Sequence, residues 1–204
     1  MKIITVKESD VNMVDFFFPN PYKDKRPVKK DVILGKEGLE RVINRVCYEI
    51  LERNQGSENL SLIGIRTRGV PIALRIRERI KEIENFEVPF GILDITMYRD
   101  DIFKLKSPMV RKTEIPFDVN NKVLVLVDDV IHTGRTTRAA IDAIMDIGRP
   151  KKIQLAVIVD RNERELPIHP DYVGITYRVS KGEEVLVRLK EVDGTDEVIV
   201  TKSS

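Results

Sequence analysis

An unbroken apolar run, Val123-Leu-Val-Leu-Val127, ends on two adjacent carboxylates, Asp128 and Asp129; after Val-Ile-His comes Thr133-Gly-Arg-Thr-Thr137. The run is mostly β-branched and lacks polar alternation, which fits a parallel-sheet strand covered on both faces. Ala140, Ala143, Ile144 and Ile147 then recur at helical spacing until Gly148 and Pro150. The turn is therefore expected to follow a strand that stops at Asp128 and to open a helix. An open α/β sheet places ligands at such junctions, where unpaired backbone N–H groups and the helix dipole favour an anion. Gly134 lets the backbone approach closely, and the hydroxyls of Thr133, Thr136 and Thr137 donate to phosphate oxygens without adding charge. Two carboxylates are the wrong groups to touch a phosphate; vicinal ribose hydroxyls or a magnesium-bound water suit Asp128 and Asp129. The segment reads as a site for a phosphorylated sugar. No Gly-Lys-Ser/Thr ends the turn, which excludes a Walker phosphate loop.

Other segments fall at the same kind of junction. Leu60–Ile65 reads as a short strand ending in Arg66-Thr67-Arg68-Gly69 just before a helix with Pro71 near its start, which places guanidinium and free N–H groups at a second sheet end, suited to an anion. Tyr98-Arg99-Asp100-Asp101 opens a charge-rich, aperiodic stretch to about Asp118 that contains Pro108 and Pro116. A loop of that length in a compact domain is usually functional, and it is expected to act as a lid. Arg99 would swing in over a bound anion, while Asp100 and Asp101 steer a metal or stabilise the closed loop. Asp160 to Ile168 follows a buried strand, Ile153–Val159, and begins on the same sheet edge, where a further part of the ligand would lie. His132 is placed to contact that part or accept a proton, or simply to pack or face solvent.

The rest of the chain supports a single α/β domain. Leu39, Val42, Ile43, Val46, Ile50 and Leu51 mark an amphipathic helix from Lys36 to about Arg53, and a second helix spans Val70–Glu84. A strand is expected over Val88–Thr96, and a hairpin-like pair over Val185–Val192 and Glu197–Thr201. Alternating strands and helices predict a mainly parallel central sheet flanked by helices. Residues 1–34 differ: Phe16-Phe-Phe-Pro-Asn-Pro-Tyr22 and Lys23-Asp-Lys-Arg-Pro-Val-Lys-Lys30 read as an N-terminal arm with an aromatic patch or a basic nucleic-acid contact. Residues 35–204 form the domain proper. The net charge of +2 in 204 residues gives no global argument for or against nucleic acid. One cysteine, Cys47, forbids intramolecular disulfides. No apolar run approaches the roughly 20 residues that span a bilayer, and the N-terminus lacks a signal peptide's apolar centre. The expectation is a cytoplasmic protein without a membrane partner.

The hydrophobic strand, two acidic residues and Thr-Gly-x-Thr loop resemble the phosphoribosyl pyrophosphate (PRPP) motif of type I phosphoribosyltransferases. Gly64-Ile-Arg-Thr-Arg-Gly69, Asp94-Ile-Thr-Met-Tyr-Arg-Asp-Asp101, Gly148-Arg-Pro150 and Arg164-Glu-Leu-Pro-Ile168 narrow the resemblance to the PyrR family of pyrimidine-operon attenuation regulators. It runs from about Val32 to Val200. The resemblance implies a type I phosphoribosyltransferase fold with a small hood, and a condensation of uracil with PRPP to UMP and diphosphate, assisted by Mg2+ that arrives with PRPP. Asp128, Asp129 and Arg99 would be catalytic. Asp128 and Asp129 would hold ribose, and Thr133, Gly134, Arg135, Thr136 and Thr137 the 5′-phosphate. Arg66, Thr67, Arg68 and Gly69 would hold pyrophosphate, with an unusual backbone near Thr67-Arg68. Tyr98, Arg99, Asp100 and Asp101 would form the lid.

Members of the family also bind a hairpin in pyrimidine-operon leader mRNA, with UMP promoting the bound state. Arg45, Arg53, Arg161 and Arg164 match their basic positions; Asn44, Tyr48, Glu163 and His169 depart from the pattern, and a glutamate facing phosphates is unfavourable. Tyr48 is placed to stack on a base. The alternative is a metabolic phosphoribosyltransferase, for uracil or purine salvage, without RNA binding. The family resemblance and the Phe16–Phe18 patch both imply a homo-oligomer.

Overall fold

The computed structural model describes residues 30–100 and 111–202. The Phe16–Phe18 patch, the basic segment before Lys30, Asp101 and Pro108 lie outside them. The elements run β1 (Lys30–Leu34), α1 (Lys36–Asn54), β2 (Leu60–Ile65), α2 (Gly69–Glu84), β3 (Phe90–Leu93), a 3-10 turn (Thr96–Tyr98), β4 (Val123–Ile131), α3 (Arg135–Ile147), β5 (Lys152–Asp160), β6 (Tyr172–Thr176), β7 (Glu183–Arg188), α4 (Lys190–Asp193) and β8 (Glu197–Lys202).

The central sheet is parallel, in the order β3-β2-β4-β5-β6. Side chains alternate along β4 as a pleated strand requires. Val125 and Val127 join the core beneath α1 and α2, and Leu124 and Leu126 meet Ala139, Ala140, Ala143 and Ile144 of α3 on the opposite face. Both faces are covered, which explains why the run carries no polar residue until Asp128. A second, antiparallel sheet, β1-β8-β7, shares the core on the α1 and α2 side through Val185, Val187, Val198 and Val200. Its β1 draws the last residues of the segment read as an arm, 30–34, into pairing with β8.

Several boundaries differ from the sequence expectation for identifiable reasons. β4 does not stop at Asp128. It continues to Ile131 because β5 keeps pairing with it, Asp128 opposite Val157 and Ile131 opposite Asp160. On its other side β2 follows β4 only as far as Val127, opposite Gly64. β3 is shorter than Val88–Thr96, ending at Leu93, where Asp94 accepts the Thr96 N–H and starts the 3-10 turn. The hairpin-like pair is present as β7 and β8, joined through the one-turn α4, with Gly194 at φ 75° at its end. No helix among the described residues is long and apolar enough to cross a membrane.

The helix layer packs closely on β6. A Cβ at Gly174 would lie 2.3 Å from the Ile158 carbonyl oxygen and 2.5 Å from Val42 Cγ1, so neither backbone nor helix can yield cheaply. Gly174→Ala is expected to cost about 3 kcal/mol, read as a lower urea midpoint at unchanged slope.

Candidate active site

The unequal lengths of β2 and β4 create the site. Where β2 ends, the 66–69 turn folds across the exposed end of β4. A Cβ on Gly69 would stand 2.1 Å from the Val127 carbonyl oxygen and 3.2 Å from Asp128 Cα, so only glycine brings this turn against the acidic pair. The Arg66–Thr67 peptide is cis, one bond before the position the resemblance suggested.

A cavity of about 860 Å³ opens at this edge, lined by Arg66, Thr67 and Arg68 on one side and Asp128, Asp129 and Thr136 on the other. Arg99 and Arg111 enter from the segment after β3, His132 and Arg161 from the ends of β4 and β5, and Glu184, Val185 and Leu186 from β7. The second sheet therefore walls the site as a hood. A smaller cavity of about 230 Å³ adjoins it, lined by Arg99, Asp100, Thr133, Arg135 and Thr136. Arg99 and Thr136 border both.

The small cavity sits at the N-terminus of α3. Gly134 adopts φ 90°, and no side chain caps the helix there beyond a long 3.4 Å bond from the Arg135 N–H to Thr133 Oγ1. First-turn N–H groups thus remain available to an anion. Arg135 turns its guanidinium toward Asp100 and Glu165, the latter at 2.7 Å. Thr137 is buried at 3 % exposure and lines neither cavity.

The acidic pair carries the sharpest electrostatics. Asp128 is 7 % exposed, and burial pushes its carboxyl well above the usual range, with the adjacent Asp129 adding to the rise. Burial also raises Asp129, but the Arg68 charge opposes the rise. The pair therefore shares charge unequally, and Asp129 is the member that keeps it more readily. Across the cavity, burial lowers Arg66, and the nearby Arg111 charge lowers it further while Glu114 opposes. Its Nε is buried without a hydrogen-bond partner among the described residues. Crowded cations across the cavity favour a multiply charged anion.

Arg111 and the β7 wall were not identified from sequence. Arg111 lies in an aperiodic stretch, and its place is set by a 2.8 Å bond from its N–H to Asp94 Oδ2. The β7 residues read only as a strand. Tyr98 points away from the cavity, its hydroxyl donating to Asp146 of α3 at 2.8 Å. His132 stands 2.8 Å from Glu163, which also accepts from Arg161 at 3.1 Å.

The arginines expected on an RNA face are engaged within the chain. Arg45 pairs with Glu49 and donates to the Val173 and Gly174 carbonyls. Arg53 pairs with Asp171 at 2.9 Å and lies over the Tyr172 ring. Arg164 is nearly buried, bound to Asp160 at 2.7 Å and to the carbonyls of Ile168 and His132, each at 2.9 Å. Tyr48 is half exposed with Arg79 over its ring, Asn44 lines a groove between α1 and α2, and His169 is exposed. In that groove Arg75 is already matched by Glu191 and Asp196.

A family model described as a phosphoribosyl transferase domain matches residues 31–191. The bifunctional protein PyrR of Pelotomaculum thermopropionicum is 58% identical over 177 residues, covering 86% of this chain and 98% of that protein. The chain belongs to the PyrR family of phosphoribosyltransferases. The PyrR protein of Deinococcus radiodurans is 52% identical over 168 residues, covering 82% of this chain and 92% of its own. Among solved structures, the hypoxanthine phosphoribosyltransferase of Trypanosoma cruzi superposes with a TM-score of 0.66 at 16% identity, covering 85% of this chain and 97% of that one. A hypoxanthine-guanine phosphoribosyltransferase from Bacillus anthracis gives a TM-score of 0.64 at 16% identity, covering 84% and 97%. These two likenesses establish the fold alone. This chain thus shares its overall fold with those purine enzymes.

Asp128→Asn is expected to raise the melting temperature near about pH 7. Its carboxyl, whose ordinary value is 3.8, resists ionisation in the folded chain, so folding is opposed wherever the unfolded chain would ionise it. The gain shrinks as pH falls toward that value, where both states hold the proton. Thermal melts at about pH 7 and about pH 4 check this sign.

Proposed function

We infer that this chain is a UMP-responsive, RNA-binding regulator of pyrimidine gene expression by transcription attenuation, and that it condenses uracil with PRPP to give UMP and diphosphate. The observation that carries the reading is the convergence of the 66–69 turn, Asp128, Asp129 and the 133–136 turn on adjoining cavities, in a chain 58% identical to a PyrR protein along nearly all of that protein's length. The protein acts in the cytoplasm as a homo-oligomer, which light scattering checks.

In this reading the 5′-phosphate occupies the small cavity, held by Thr133, Thr136 and the α3 N–H groups, while Asp128 and Asp129 receive the ribose hydroxyls. The pyrophosphate lies toward Arg66, Thr67 and Arg99, with Arg111 beside them. Uracil enters toward His132 and Arg161 under the β7 wall. Reaction breaks the bond from the anomeric carbon to pyrophosphate and forms the bond to the base nitrogen through a cation-like state, while the proton on that nitrogen passes to the departing diphosphate. Catalysis therefore rests on stabilising the departing anion with fixed cations and on excluding water, without a covalent nucleophile.

Magnesium fits this site in a limited way. Among the described residues no group of three or more His, Cys, Asp or Glu side chains forms a cage, whereas Asp128 and Asp129 offer two carboxylates beside the phosphate-binding turns. Magnesium keeps several waters and takes one or two carboxylates together with substrate phosphates, so these aspartates would hold it, through water, as it arrives with PRPP. When bound, it offsets charge on the leaving pyrophosphate.

Asp129→Asn is expected to lower turnover by about a hundredfold or more while leaving the circular dichroism spectrum intact; wild-type turnover removes that carboxylate from the mechanism. Product formation from PRPP with uracil, hypoxanthine, guanine and xanthine in parallel tests the base, and turnover of a purine but not uracil overturns the substrate.

For the regulatory half, a leader hairpin should bind at low salt, more tightly with UMP. Arg45→Ala should weaken it and flatten the salt slope by about one, and Glu163→Gln should tighten it by removing a negative charge from the arginine-lined loop. Absence of binding at low salt in gel-shift titrations leaves the metabolic enzyme as the function.

A further inference from the structure

One residue that the transferase reading leaves unassigned is tied directly into the site from the other sheet. Asp193, in the α4 turn between β7 and β8, accepts two hydrogen bonds from Arg68: Nη2 to Oδ1 at 2.7 Å and Nε to Oδ2 at 3.1 Å. Both side chains are withdrawn from water, Arg68 at 10 % and Asp193 at 2 % exposure. A bidentate, shielded pair of this kind fixes direction as well as distance, unlike the exposed ion pairs elsewhere on the chain. Asp193 Oδ2 also accepts the Leu189 N–H at 3.0 Å, so the carboxylate is itself held before it reaches Arg68.

The 66–69 turn is thereby gripped from two sides. Gly69 presses its backbone on Val127 and Asp128 of the central sheet, and Arg68 is drawn in the opposite sense to the second sheet. Arg68 also borders the large cavity together with Asp129, whose carboxyl it influences. Its guanidinium thus stands between two carboxylates, one structural and one in the site.

We propose that Asp193 is a positioning residue for the leaving-group end of the site: through its fork with Arg68 it holds the 66–69 turn in the shape that receives pyrophosphate. This rests on the transferase reading above. The role is not part of the general fold stability of the α4 turn, because that turn has an independent clamp. Arg75 of α2 binds Glu191 at 2.6 and 2.8 Å and Asp196 at 2.6 Å, without touching the 66–69 turn.

The test compares steady-state kinetics of the full-length wild type, Asp193→Asn, Glu191→Gln, Arg68→Lys and the double variant Arg68→Lys with Asp193→Asn. Asp193→Asn keeps the shape and one acceptor oxygen but loses the charge. It is expected to raise the KM for PRPP by about tenfold, the equivalent of losing one charge-assisted hydrogen bond, with the KM for uracil within about twofold of wild type. Glu191→Gln, which loosens the other clamp, should leave both KM values within about twofold. Arg68→Lys, which keeps the charge and loses the fork, should reproduce the PRPP effect even if Asp193→Asn does not fold. The double variant should be no worse than Arg68→Lys alone, since both remove one interaction.

An unchanged or lower KM for PRPP in Asp193→Asn overturns the proposal. So does a parallel rise for uracil, an equal effect of Glu191→Gln, or additive losses in the double variant. A wild type that makes no UMP from uracil and PRPP fails the transferase reading itself, whereas an active wild type with an indifferent Asp193→Asn fails only the role of Asp193.

Discussion

The arrangement depends on one mismatch in strand pairing. β4 has β5 beside it to its last residue but loses β2 after Val127. A sheet edge that ended flush would bury its last carbonyls against neighbouring strands; this one leaves a notch beside Asp128, and the 66–69 turn drops into it. Gly69 is the residue that permits the fit, since any side chain would strike the Val127 carbonyl. The acidic pair, the arginine turn and the α3 N-terminus are neighbours because one strand outruns another.

That notch also sets the electrostatics. Carboxylates at the end of a buried strand cannot be fully hydrated, so their protons are held more tightly than in water. Cations line the same cavity, where burial and the charge of Arg111 both disfavour the charged form of Arg66. Neither cluster is comfortable alone. An anion with several oxygens relieves the cationic side, and vicinal hydroxyls suit the acidic side. In binding terms the two sides together offer the complementarity a ligand completes, which is how a preorganised polar site stabilises charge without reorganising.

Much of this was legible in the sequence wherever a function was local. The junctions at Arg66–Gly69 and Thr133–Thr137 could be read because each follows directly on an apolar strand and opens a helix, so place and chemistry are fixed within a few residues. The end of β4 was misjudged because polarity changes at Asp128 whereas pairing with β5 does not. β1 and β6 escaped notice since they are short strands at the edges of their sheets, defined by pairing with β8 and β5. The β7 wall and Arg111 depend on contacts across many residues of chain, which no local pattern records. Thr137 illustrates the converse: it belongs to the motif by type, yet helical geometry turns it into the core.

Arg164 carries a further consequence. By composition it is a cation on a loop that borders an expected nucleic-acid face, but its guanidinium is occupied by Asp160 and by the carbonyls of Ile168 and His132. It works as a bracket that sets the spacing between the β4 and β5 loops. A change at Arg164 therefore reaches inward as well as outward, because the same guanidinium holds the outer loop and the backbone that carries His132 into the cavity. Loop position and cavity shape are tied together through a single side chain.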